Sequence, residues 1–181
     1  MKFTPEVVKV KGRDELFKLA PIFRKRILDS KVLLVKGAGA LSEKEFEKLC
    51  FIISNSKNDP FVSWNFGDIL NLRNNEESEN YIFSNERVPL HWDGAFHEVP
   101  NILGFQCVEN VVKGGRTIFL DSTKVLNDLC IDTKKERFGK SITYTTEKIV
   151  HYGGSIRQKI IDIHPETRAS VLRLGEEVET K

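Results

Sequence analysis

The chain has 181 residues, 40% of them hydrophobic and 30% charged, which excludes wholesale disorder and fits one globular domain over 1–181. Its 28 Lys and Arg against 26 Asp and Glu leave a net charge of +2, so charge gives no case for nucleic acid or an anionic membrane surface as partner. No apolar run approaches the roughly 20 residues that cross a bilayer, and the opening Met1-Lys2-Phe3-Thr4-Pro5-Glu6 lacks the apolar core of a secretion signal.

In chain order, Val7 to Val10 reads as a strand ended by Gly12. Asp14 to Asp29 reads as a helix, because Leu16, Phe17, Ala20, Phe23 and Ile27 recur with a period near 3.6. Pro21 is expected to break or kink that helix, or to open its second half. Val32 to Val35 is a compact strand stopped at Gly37-Ala38-Gly39. Ser42-Glu43-Lys44-Glu45 carries a capping box, and the helix it opens has Phe46, Leu49, Cys50 and Ile53 on one side.

From Asn55 to Asn85 polar residues crowd the chain and loops are expected. The remainder is β-rich. Strands are expected over Asn101 to Val108, Thr117 to Leu120, Ser141 to Tyr144, Lys148 to His151, Lys159 to Ile163 and Ser170 to Leu174, the last two pairing across Pro165-Glu166-Thr167. A short helix capped by Asp121 or Ser122 is expected to run through Leu129. Lys134-Lys135-Glu136-Arg137 reads as solvated surface. Cys50, Cys107 and Cys130 show no C-x-x-C spacing and read as buried, reduced thiols of a cytoplasmic protein.

The stretch richest in chemistry is Val88-Pro89-Leu90-His91-Trp92-Asp93-Gly94-Ala95-Phe96. In an extended strand His91 and Asp93 project to one face while Trp92 packs behind. An imidazole nitrogen beside a carboxylate oxygen supplies two ligands of a 2-His-1-carboxylate facial triad, which leaves open positions on Fe(II). An H-x-D pair alone is a weak signal and needs its context. That context is Lys113-Gly114-Gly115-Arg116-Thr117, where paired glycines permit a turn that delivers the Thr117 hydroxyl 24 residues after Asp93. The same glycines are not a phosphate loop, since no Gly-Lys-Ser/Thr follows them.

Taken together, His91-Trp92-Asp93, Gly114-Gly115 and Thr117 resemble the taurine dioxygenase (TauD/TfdA-like) family of Fe(II)/2-oxoglutarate-dependent oxygenases. The segment from Leu33 to Phe46 is similar to that family's N-terminal strand, turn and helix. Leu90-His91-Trp92-Asp93-Gly94 is similar to its PvcB-like isonitrile-biosynthesis branch. The resemblance implies an α+β, mainly β architecture, a double-stranded β-helix (jelly roll) with the N-terminal helices flanking it. It implies His91 and Asp93 as iron ligands, Thr117 as a contact to the co-substrate 2-oxoglutarate, and oxidation of a small-molecule substrate by hydroxylation or desaturation.

The family's second iron-binding His and its 2-oxoglutarate-binding Arg follow a His-Pro turn that Ile163-His164-Pro165-Glu166-Thr167 resembles. On that alignment the jelly roll is expected to be incomplete at the C-terminus, with those two residues missing. His164 with Arg173 is a local substitute to be weighed against a purely structural His at a hairpin. Two other readings stand beside the oxygenase. One is an inactive remnant or one half of a split oxygenase, a binding module that self-associates or pairs with a separately encoded C-terminal half. The other is a hydrolase or cupin-like protein holding zinc or another divalent ion through His91 and Asp93.

Overall fold

The computed structural model describes residues 4–62, 67–73, 75, 83, 90–93, 100–110, 114, 116–146, 154–164 and 168–173. The chain divides into two compact units, Met1–Phe61 with Asn101–Leu120, and Val62–Pro100 with Asp121–Lys181.

The first unit is built on a β-α-β-α run. Strand β1 (Glu6–Lys9) pairs in parallel with β2 (Leu33–Lys36) in the register Glu6↔Leu33 to Lys9↔Lys36. Helix α1 (Arg13–Ser30) provides the long crossover that a parallel pair requires. Its Leu16, Ala20 and Phe23 are buried together with Val8, Val10 and Leu41. Pro21 does not break this helix. The missing N–H removes one backbone hydrogen bond, whereas Ala20 and Phe23 on either side of it hold both halves against one core. Helix α2 (Glu43–Ser54) opens with the expected box: Ser42 N–H donates to Glu45 Oε2 at 2.8 Å, and Glu45 N–H donates to Ser42 Oγ at 3.4 Å. These bonds from Ser42, with Arg13 beside them, hold the Glu45 carboxyl below its ordinary value. Arg13 also ties the two helix starts together, 2.9 Å from Glu45 Oε1.

The strands expected over Asn101 to Val108 and Thr117 to Leu120 do not form; the described residues there are irregular. Their apolar side chains lie exposed, Val108 at 70% and Ile118 at 73%, and no strand neighbours them among the described residues. A side chain takes the place of one: Gln106 Nε2 donates to Leu41 O at 2.9 Å, and its Oε1 accepts from Leu41 N–H at 3.1 Å. Gly104 lets this segment close on α2, since a Cβ there would meet Phe46 and Cys50 at 3.2 and 3.3 Å.

In the second unit, α3 (Ser122–Asp128) is capped by Asp121, whose side chain accepts from Thr123 N–H at 3.1 Å. The charge run at 134–137 belongs to a further helix, α4 (Ile131–Arg137), capped by Cys130 through Thr133 N–H at 3.4 Å. Strand β3 (Ser141–Thr146) pairs antiparallel with β4 (Gly154–Lys159), a strand that the sequence pattern missed. Its Gly-Ser-Ile-Arg-Gln-Lys composition lacks β-branched alternation. Strand β5 (Ile161–Ile163) pairs with β6 (Ser170–Leu172) as Ile161↔Leu172 to Ile163↔Ser170, the expected hairpin. Helix α3 packs on β6, and Leu126, Tyr144 and Ile161 are buried in this unit.

The described residues thus combine helices with three separate two-stranded sheets, and no closed barrel is assembled among them. The expected strand over Lys148 to His151 lies outside the described residues. The cysteines depart from expectation. Cys50 is partly buried, its thiol pushed up to about 11 by burial and by Glu47, but Cys107 and Cys130 are exposed. Cys107 falls in the irregular 101–110 segment, and Cys130 sits at a helix cap, so neither has a core to enter. No helix among the described residues is long and apolar enough to cross a membrane.

Candidate functional site

Residues 91–93 belong to no strand; Asp93 occupies a turn. The two side chains still meet. His91 Nε2 lies 3.5 Å from Asp93 Oδ1, with the side chains 31% and 41% exposed. Two donors bound to one ion at about 2.0–2.2 Å can lie up to roughly 4 Å apart, so a shared cation fits this pair. Among the described residues, no group of three His, Cys, Asp or Glu gathers to hold a metal. His164 accordingly does not complete a triad with His91 and Asp93. It closes the β5–β6 hairpin instead, its N–H donating to Ala169 O at 2.8 Å and its carbonyl accepting from Arg168 N–H at 3.0 Å.

Between the two candidate ligands, Trp92 is half-buried and carries the Arg173 guanidinium over its ring, 5.0 Å from the centroid. Arg173 is fixed from several directions. Its Nη1 donates to Asp162 Oδ2 at 3.0 Å and to Lys159 O at 3.3 Å. Its backbone N–H reaches Ile160 O at 2.9 Å, and its carbonyl accepts the Tyr144 hydroxyl at 3.1 Å. Burial pushes the Asp162 carboxyl up, but the Ile163 N–H, Arg173 and Lys159 together outweigh it and hold the carboxyl below its ordinary value. Asp162 escaped the sequence reading, although a lone carboxylate inside Ile161-Asp162-Ile163 was its signal. An acid in an apolar strand needs a cation beside it.

Thr117 lies in the first unit, exposed, after Gly114 with its left-handed φ of 93°. The described residues 116–120 belong to no strand.

Residues 3–181 match the family described as "Taurine catabolism dioxygenase TauD, TfdA family". The chain belongs to the TauD/TfdA family. Among curated relatives it is 34% identical over 151 residues to the 3-((Z)-2-isocyanoethenyl)-1H-indole synthase of Fischerella ambigua, covering 82% of this chain and 54% of that protein. It is 31% identical over 149 residues to the tyrosine isonitrile desaturase of Pseudomonas aeruginosa, covering 80% and 49%. The desaturase of the same name in Erwinia amylovora is 32% identical over 118 residues, covering 64% and 40%. These names place the chain beside the isonitrile branch of TauD/TfdA proteins, the neighbourhood that Leu90 to Gly94 resembles. The chain spans about half the length of the curated relatives it matches. No solved structure matches it.

Proposed function

We propose that this TauD/TfdA chain supplies the iron-holding part of an Fe(II)/2-oxoglutarate oxygenase that oxidises a small molecule, with an amino-acid-derived isonitrile as the substrate class and desaturation as the outcome. The observation that carries the reading is the 3.5 Å approach of His91 Nε2 and Asp93 Oδ1 in a family member. The relatives' names support the substrate class. The jelly roll belongs to the same proposal, with the β3–β4 and β5–β6 pairs as parts of it.

In this reading His91, neutral, offers the Nε2 lone pair and Asp93 offers a carboxylate oxygen, together forming the chain's own share of the coordination sphere. Fe(II) held there, with 2-oxoglutarate and O₂, supplies the oxidising power that no protein side chain has. Thr117 donates its hydroxyl to a 2-oxoglutarate oxygen and orients the keto acid. The half-exposed His91 and Asp93 leave the remaining positions open to co-substrate and substrate.

The experiment is anaerobic loading with Fe(II) and 2-oxoglutarate, then O₂, with succinate measured. Succinate formation that is lost in His91→Ala and in Asp93→Ala is the expected result. Succinate from the wild type that persists in both variants overturns the pair as ligands. One observation favours a second reading, a half-site module completed by another polypeptide: no third donor joins the pair among the described residues. Turnover only after a C-terminal family segment is added supports that reading over the first.

A further inference from the structure

We infer that Arg173 is a positioning residue of this centre: by stacking on Trp92 it fixes the loop that carries His91 and Asp93. The inference rests on the reading of His91 and Asp93 as a metal pair.

The need for such a device follows from the local structure. Residues 91–93 lie outside every strand and helix, so no regular backbone ladder fixes the direction of either donor. A loop that must order two side chains upon binding loses affinity to that ordering. Trp92 is the residue between the two donors, and a fixed ring there restrains the backbone on both sides.

Arg173 suits that role because it is itself immobilised. Its side chain is only 12% exposed, Asp162 and the Lys159 carbonyl hold Nη1, and Ile160 and Tyr144 hold its backbone. The guanidinium carbon lies over the indole, 5.0 Å from its centroid, within the reach of a cation–π contact. Its Nε is buried with no hydrogen bond among the described residues, as expected where ring stacking rather than hydrogen bonding has set the orientation. Asp162 then acts at one remove, holding the cation that holds the ring.

The test is equilibrium dialysis of the full chain against Co(II) alone, without co-substrate or turnover. Saturable Co(II) binding by the wild type that disappears in His91→Ala establishes the metal pair; its absence overturns that reading and this inference with it. Given that binding, Arg173→Met is expected to weaken Co(II) about tenfold, the lower end of what residues supporting a ligand contribute. Arg173→Lys, which keeps a cation over the ring, recovers part of the loss. In a Trp92→Leu background, Arg173→Met has no further effect, because the route through the ring is already cut.

A Trp64→Phe background leaves Trp92 as the remaining tryptophan, and there Arg173→Met shifts the indole emission before any metal is added. Should Arg173→Met fail to fold, the comparison of Arg173→Lys with and without Trp92→Leu carries the same test. Undiminished Co(II) affinity in a folded Arg173→Met chain overturns the inference while leaving the metal pair standing. So does an equal loss with and without Trp92. A 2-oxoglutarate affinity that collapses while Co(II) affinity holds makes Arg173 a co-substrate ligand and likewise overturns it.

Discussion

Gly37 and Asp162 show how a single residue fixes the elements within its own unit. Gly37 has a φ of 95°, and a Cβ there would lie 2.1 Å from the Val10 carbonyl oxygen. Gly37→Ala therefore meets both a disfavoured backbone and a clash with main chain that cannot rotate away. The expected loss is about 1–3 kcal/mol, read as a lower denaturation midpoint with an unchanged m-value. Asp162 makes a prediction about pH. Its folded pKa is depressed below 3.8, so the stability it contributes is fully present above that value and is lost as pH falls through the folded one. Asp162→Asn should flatten that part of the acid limb and reduce stability at neutral pH by about 1.5–3 kcal/mol, the range for a hydrogen bond to a charged group. An acid limb of unchanged slope in this variant contradicts the Arg173–Asp162 account.

At the scale of elements, periodicity and capping chemistry were legible where a segment makes its own structure. The stripe of Leu16, Ala20 and Phe23 gave α1, and Ser42 with Glu45 gave the start of α2, because both signals act within a few residues. Pro21 misled for the same reason. Its local penalty is real, but burial of Ala20 and Phe23 at 0% and 1% exposure overrides it. Phe23→Ala should accordingly cost about 3–5 kcal/mol. Pro21→Ala, at an exposed position where it restores the amide, should raise stability by about 1–3 kcal/mol. Thermal unfolding of the two variants checks both signs. The strands over Asn101 to Val108 and Thr117 to Leu120 were illegible in the opposite sense. Their apolar composition is right for β structure, yet a strand is defined by its neighbour, and none stands beside them among the described residues. Strand β4, with its polar sequence, forms because β3 pairs with it residue for residue.

At the scale of the whole molecule, motif order carried what periodicity could not. His91-Trp92-Asp93 followed by Gly114-Gly115 and Thr117 pointed to the TauD/TfdA family, and the match over residues 3–181 shows it. The meeting of His91 with Asp93 was foreseeable from their spacing, although residues 91–93 belong to no strand. The support behind the pair was not foreseeable. Arg173 lies 80 residues beyond Asp93 in the sequence, and only the β5–β6 hairpin and its Asp162 bring the guanidinium to the Trp92 ring. Side chains that act on a neighbour's neighbour leave no local spacing to read.

The central claim is that His91 and Asp93 share one cation. Mn(II) bears on it most directly, as a paramagnetic ion accepted by nitrogen and oxygen donors that broadens nearby resonances in an ¹⁵N-labelled chain. Substoichiometric Mn(II) is expected to broaden the amides of residues 91–93 and the Trp92 indole N–H first, and to spare them in His91→Ala. Broadening that begins elsewhere, or that is unchanged in His91→Ala, contradicts the account.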